Sequence, residues 1–251
     1  MKAVITGASA GIGRDMAHIL SQMGYSLVLV ARRKDRLEAL CQELPTEATP
    51  VVLDLSEREN CFFLYNMLQG EEVDLLINNA GFGACGWFGD IPLDTELRML
   101  DTNITAVHIL TKLFLKKFTR QNKGHILNVA SSAGFMAGPL LSAYYASKSY
   151  VLRLSQAIDT ELRQQKSNVR ISVLCPGPVK TEFDQVANVR FSLHGMNSKT
   201  VADYAIRKTL QGKRVIIPGI GMKLLIFFSR FLPEQFLTGI TFHIQRKKTT
   251  Q

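Results

Sequence analysis

The stretch "KAVITGASAGIG", residues 2–13, carries an apolar, β-branched run straight into a glycine-spaced turn. Residues 2–6 read as a strand, and helical periodicity begins at residue 11. Gly7, Gly11 and Gly13 between them are spaced G-x-x-x-G-x-G. Glycine lets the backbone turn tightly and approach a bound group. The helix that follows offers free N–H groups and the positive end of its dipole. Strand, glycine turn and helix start, in that order, make a seat for a dinucleotide pyrophosphate. Alone, such a turn is also a plain bend; its place after the first strand of an α/β pattern favours nucleotide binding.

Outward from that turn, apolar runs alternate with amphipathic segments. Strands are expected at 2–6, 25–31, 50–55, 73–80, 124–131, 169–176 and 214–218. Helices are expected at 11–23, 33–43, 57–69, 93–119, 142–165 and 199–212. Several strands are apolar on nearly every residue, as in sheets covered on both faces. The alternation predicts an α/β fold: a Rossmann-type, doubly wound parallel sheet of about seven strands with helices on both faces. No repeat, low-complexity tract or linker divides the 251 residues, so one domain is expected, with an extension at about 219–251. At 46% hydrophobic and 20% charged residues, the chain can bury a large core.

Charge and cysteine usage narrow the function classes. Residues 199–251 carry +8 of the formal +9, so the preceding body is nearly neutral. That, with no zinc-finger pattern, argues against a nucleic-acid partner. Cys41, Cys61, Cys85 and Cys175 are scattered without metal-ligand spacing. They read as free thiols in a reducing compartment, with no metal expected. The N-terminus shows no charged and apolar leader pattern, so a cytoplasmic location is expected.

The second strand ends in Ala31, Arg32 and Arg33, where an NAD-selecting site usually places a carboxylate. Arginines there suit a 2′-phosphate, so NADP(H) is the expected cofactor. Arg32 is the expected contact, with Ser9 and Arg14 as helpers. Arg33 opens a charge run and competes as a solvated helix start. Asp54, expected at the end of the third strand, suits the adenine amino group or a helix N-cap. Ser56 with Glu59 would fill the cap as a capping box. In "NNAG", residues 78–81, Asn79, Ala80 and Gly81 suit either the cofactor's adenosine side or the joining of strands.

A proton-transfer set lies further on. Tyr144 and Lys148 stand four apart in "SAYYASKSY" and share a helix face. An ammonium near a phenol favours the phenolate and lowers its pKa, which makes a general acid/base. Ser131 ends a strand at the edge where parallel sheets bind ligands, and its hydroxyl suits a carbonyl oxygen. Ser132 is its rival. Asn103 falls mid-helix, where asparagine is a poor former. A helix distorted there would free a carbonyl for a water chain to Lys148.

T-G-x-x-x-G-x-G, N-N-A-G, Asn103, Ser131, Y-x-x-x-K and "PGPVKT" together resemble the classical short-chain dehydrogenase/reductase family, from residue 2 to about 218. The resemblance implies a catalytic tetrad of Asn103, Ser131, Tyr144 and Lys148. It implies that Lys148 meets the nicotinamide ribose, and that Thr181 and the backbone of Pro176, Gly177 and Val179 hold the carboxamide. Tyr145 is then a packing residue. The full expected cofactor set is Gly7, Ser9, Gly11, Ile12, Gly13, Arg32, Arg33, Asp54, Leu55, Asn79, Ala80, Gly81, Tyr144, Lys148, Pro176, Gly177, Val179 and Thr181. The expected reaction is reduction of a ketone or aldehyde to an alcohol.

Substrate is expected to meet residues 82–93, 134–143 and 182–198, the last as a lid. Their inventory is apolar: Phe82, Trp87, Phe88, Phe135, Met136, Leu140, Leu141, Phe183 and Phe191. A 3-oxoacyl-carrier thioester and a hydroxysteroid or lipid ketone stay open as substrates. A non-catalytic NADP(H) sensor is the reading from another class. The long helices suit a homodimer or homotetramer. The basic, apolar extension has three uses open to it: subunit contact, a cap over the substrate site, or a peripheral membrane helix.

Overall fold

The computed structural model describes residues 1–183 and 195–249. Seven parallel strands form the central sheet, in the order β3-β2-β1-β4-β5-β6-β9. They are β1 (Lys2–Thr6), β2 (Ser26–Ala31), β3 (Ala48–Val52), β4 (Leu75–Asn78), β5 (His125–Val129), β6 (Arg170–Leu174) and β9 (Val215–Ile216). Two short strands, β7 (Val179–Lys180) and β8 (Met196–Asn197), pair separately. That pairing anchors both ends of the expected lid, whose residues 184–194, Phe191 included, lie outside the described residues.

The helices are α1 (Gly11–Gln22), α2 (Lys34–Glu43), α3 (Arg58–Met67), α4 (Leu93–Leu100), α5 (Val107–Gln121), α6 (Ser142–Gln164), α7 (Ser198–Leu210), α8 (Ile220–Ser229) and α9 (Glu234–Thr249). Strand side chains alternate between two cores. Ala3 and Ile5 pack with Met16, Leu20, Leu37, Leu40 and Ile206 of α1, α2 and α7. Val4, Val28 and Val30 pack with Leu64, Leu110, Phe114 and Phe118 of α3 and α5 on the other face. The layered, doubly wound fold expected from the sequence is therefore present.

Two local readings need correction. β3 starts two residues earlier than expected and ends at Val52, so Asp54 stands beyond the strand. β3 is an edge strand, paired with β2 alone, and Pro50 is tolerated there because an edge has one N–H side to spare. The capping box does not form. Ser56 donates instead to Asp54 Oδ1 through its N–H (3.0 Å) and hydroxyl (2.8 Å), and α3 starts after Glu57 without a side-chain cap. The extension is two helices, α8 and α9, laid across the carboxyl side of the sheet.

The strand order reverses between β1 and β4, whose chains continue to opposite sides. An open sheet has its crevice at that switch point, outside the carboxyl ends of the strands.

Candidate active site

A cleft of ≈ 470 Å³ opens at the switch point. One end is built on the glycine turn. Gly7 has φ of +66°, and a Cβ there would lie 2.8 Å from Ala80 Cα. The turn packs against "NNAG" through Asn79, whose Nδ2 donates to Thr6 O (3.0 Å) and Gly7 O (3.1 Å). Thr6 Oγ1 accepts from the N–H groups of Asn79 and Ala80, both at 3.0 Å. Asn79 thus joins strands and lines the cleft at once.

The arginines divide differently from the expectation. Arg33 turns to the glycine turn, donating to Ser9 Oγ from Nε (3.3 Å) and Nη2 (3.1 Å). Its Nη1 donates to Glu182 Oε2 at 2.8 Å, and Arg36 also bonds Glu182. These two donors hold the Glu182 carboxyl below its ordinary range. Arg32, more than half exposed, reaches Asp54 Oδ2 at 3.7 Å. Arg14 is removed from the phosphate helpers: its Nη2 bonds Glu43 Oε2 at 2.7 Å, and it does not line the cleft. Burial pushes Asp54 up, but the bonds from Ser56 and the charges of Arg32 and Arg98 outweigh it and leave the carboxyl low. An ionised acceptor therefore borders this end of the cleft.

At the other end stand Ser131, Tyr144 and Lys148. Ser131 caps a short 3-10 turn, Ser132–Phe135, and its Oγ accepts from Ala133 N at 3.1 Å. The Tyr144 phenol and the Ser131 hydroxyl line the same end of the cleft, near enough that Ser131 draws the phenol's pKa down. Lys148, one turn along α6, is buried, and its Nζ donates to Val129 O at the end of β5 (3.1 Å). Nζ lies 5.8 Å from the Tyr144 ring centre. Gly81 is what lets the backbone pass here: a Cβ would stand 2.8 Å from Asn103 Oδ1 and 3.2 Å from Lys148 Nζ.

The electrostatics correct the expectation of a lowered phenol. Burial pushes the Tyr144 hydroxyl above its ordinary value, and Ser131 only partly opposes this. Burial also lowers Lys148 to about 8, with Cys175 acting weakly the other way. In a dry site, each group is driven toward its neutral form.

Asn103 sits where helical geometry changes. Asp101–Ala106 is a π-helical turn between α4 and α5, the distortion expected at this residue. Its side chain is fully buried. Oδ1 accepts from Phe82 N (3.1 Å), and Nδ2 donates to Phe82 O (2.9 Å) and Ser147 Oγ (3.1 Å). Asn103 therefore ties the segment after "NNAG" to α6, beside Lys148.

These residues, brought together in this order, make comparison with known proteins informative. The family model described as short chain dehydrogenase matches residues 1–190. The chain belongs to the short-chain dehydrogenase/reductase family. Estradiol 17-beta-dehydrogenase 11 of Mus musculus is 32% identical over 97% of this chain and 84% of its own. A short-chain dehydrogenase from Sphingobium yanoikuyae, solved in complex with NADPH, superposes with a TM-score of 0.83 at 28% identity, covering 95% of each chain. A family member from Burkholderia phymatum, solved with NAD, gives 0.82 at 25% identity over 90% of this chain and 91% of its own. This chain is thus an oxidoreductase of the dehydrogenase family, with a nicotinamide nucleotide as its cofactor class.

The remaining expected positions Gly11, Ile12, Leu55, Pro176, Gly177, Val179 and Thr181 all line the cleft. Gly13 does not line it but supports the turn, since a Cβ there would meet Asn79 Nδ2 at 2.4 Å. Of the apolar substrate inventory, Phe82, Met136, Leu141 and Phe183 line the cleft. Trp87, Phe88, Phe135 and Leu140 do not; Leu140 is core, and Trp87 and Phe88 are exposed. The sequence reading missed the cleft wall supplied by α8 and α9: Met222, Leu225, Thr241, Ile244 and Gln245. Tyr145 binds that wall, its hydroxyl accepting from Gln245 Nε2. The extension therefore walls the cleft, as the cap among its three expected uses would. Helical spacing of Thr241 and Gln245 was the available signal, but nothing local tells which face of a terminal helix turns inward.

Proposed function

We propose that the chain is an NADP(H)-dependent reductase that converts an apolar ketone or aldehyde to an alcohol. The observation that carries this reading is Ser131, Tyr144 and Lys148 brought together in a cleft whose far end is the glycine turn. The residues fit the cofactor: a tight turn on Asn79, two arginines at the end of β2, and the Pro176–Thr181 backbone opposite. Bound NADPH would supply the hydride.

The protein's own groups do the rest. Ala133 N–H holds Ser131 Oγ in place, and the hydroxyl can turn its proton from the phenol to a substrate oxygen. Tyr144, held neutral by burial, is an acid with a proton to give to that oxygen as it becomes an alkoxide. Lys148 Nζ, anchored on Val129 O, restores the phenol's proton, with the π-turn at Asn103 as the route for water to reach it. Asn103, Ser131, Tyr144 and Lys148 are proposed as the set that turns over.

Arg33 against Ser9, with Arg32 beside it, favours a 2′-phosphate over a bare ribose. On binding, the phosphate would replace the Glu182 carboxylate on Arg33. The apolar wall favours a lipid-like carbonyl compound, and the kinship with a protein named for estradiol supports that class. A cytoplasmic protein working as a homodimer or homotetramer completes the reading.

The test is NADPH consumption across ketones, aldehydes, steroids and 3-oxoacyl thioesters, with Tyr144→Phe alongside. The variant should lose at least about a thousandfold in kcat, the upper part of the range for acid–base groups, while still binding NADPH. Full turnover by Tyr144→Phe would overturn the assignment.

A further inference from the structure

The two C-terminal helices are arranged against the rule for a protein surrounded by water. On α9 the inward side chains include Thr241 and Gln245, both buried. Phe236 and Ile240, spaced four apart, are 61% and 39% exposed away from the cleft, and Ile244, next in the series, is 43% exposed and lines it. A helix stabilised by burial in water would turn the other way. Along α8, Ile220, Leu224, Phe227 and Phe228 form a stripe that continues to Phe231, each more than half exposed. Trp87, also exposed, packs at a tilt against Phe242, 5.9 Å between ring centres. Each of the two helices thus carries its own series of exposed apolar side chains, denser than scattered surface hydrophobics.

Two observations identify what covers this face. Residues 219–251 contain Lys223, Arg230, Arg246, Lys247 and Lys248 against Glu234 alone. A second copy would set like charge against like charge, whereas an anionic lipid surface complements it. The apolar residues also reach the cleft: Leu225 and Ile244 are exposed and line it. No helix among the described residues is long and apolar enough to cross a membrane. An interfacial position is what remains for a basic, apolar helix pair.

We propose that α8 and α9 lie in the headgroup layer of an anionic phospholipid bilayer, with their phenylalanines among the acyl chains and the cleft mouth facing the lipid. The carbonyl substrate then enters sideways from the bilayer, a consequence that rests on the reductase reading above.

The experiment uses the full chain with vesicles of phosphatidylcholine, alone or mixed with phosphatidylglycerol. Flotation should carry the protein with the mixed vesicles and far less with the neutral ones, and added salt should weaken it. Trp87 is the only tryptophan, so its emission should shift to the blue on binding. Phe228 and Phe231 do not line the cleft, and the double variant Phe228→Asp/Phe231→Asp should lose at least about a hundredfold in partitioning. That variant should match the wild type on a ketone dissolved in water and fall behind only on a long-chain ketone held in vesicles. The proposal is overturned if the full chain stays lipid-free with the mixed vesicles, or if the double variant floats as well as the wild type. A dimer in light scattering that the double variant breaks, without vesicle binding, would also overturn it. If no carbonyl compound is reduced at all, the reductase reading falls while flotation still decides the docking.

Discussion

Tyr144 and Tyr145 are adjacent in the chain, yet their surroundings separate them: Tyr144 lies beside Ser131 and Lys148, and the Tyr145 hydroxyl accepts from Gln245 of the cap. Their i+4 neighbours, Lys148 and Ser149, differ in the sequence, but it took Ser131, Asn103 and the family's other motifs to favour Tyr144 as the acid. The arginines were not legible in this way, because Arg33 is selected by Ser9, twenty-four residues away. Arg33→Ala should therefore lower kcat/KM for NADPH by about tenfold to a hundredfold, as expected for a charge-assisted contact, and leave NADH nearly untouched. Arg32→Ala should do less; equal losses with both cofactors in Arg33→Ala would contradict this. Lys148 gives a second prediction. Its folded pKa of about 8 lies below the ordinary 10.5. Between those values the unfolded chain holds more protons, so stability rises with pH across that window. Below pH 8 the full cost of the buried charge is present, up to about 3 kcal/mol. Urea unfolding should show this rise in the wild type and its loss in Lys148→Met. Parallel curves for the two proteins would count against a buried ammonium.

Elements were legible where one period dominated and less so where two local interactions competed. The apolar strands and long helices declared themselves, and so did the break at Asn103. Ser56 was misread because a serine that can cap a helix can also be taken up by an aspartate two residues earlier, as Asp54 does. β3 was displaced because pairing with β2, at Leu27↔Ala48, sets its start rather than its own hydropathy. The π-turn is the element on which the site depends. An extra residue there points Asn103 at Phe82, and its amide satisfies both backbone groups of that residue. Asn103→Ala would leave those two groups unpaired. It should cost about 1–3 kcal/mol, read as a fall in the urea midpoint at unchanged m. It should also lower kcat, since the same residue braces α6 through Ser147. A variant of wild-type stability would show that Phe82 finds other partners.

At the scale of the molecule, the sheet and the C-terminal helices are held by unequal means. Strands β1, β2, β4, β5 and β6 are buried on nearly every residue, between two helical layers. Across the described side chains of residues 220–246, the buried ones are Ile226, Ser229, Thr241 and Gln245, a single aliphatic among four. Apolar burial on folding is the main term that ties an element to the rest, so α8 and α9 should open without the sheet. Their placement was illegible in the sequence for the same reason: apolar spacing normally marks the inner face, and here it marks the outer one. Hydrogen exchange in the absence of lipid should find the amides of α8 and α9 at least about a hundredfold less protected than those of β1 and β4. Binding of NADPH should protect the glycine turn and α1 more than α8 and α9, which face the other end of the cleft. Anionic vesicles should slow exchange in α8 and α9 and leave the sheet unchanged. If α8 and α9 were instead protected to the same free energy as β1 without any lipid, they would belong to the global folding unit. The exposed phenylalanines would then need a protein partner already present in solution.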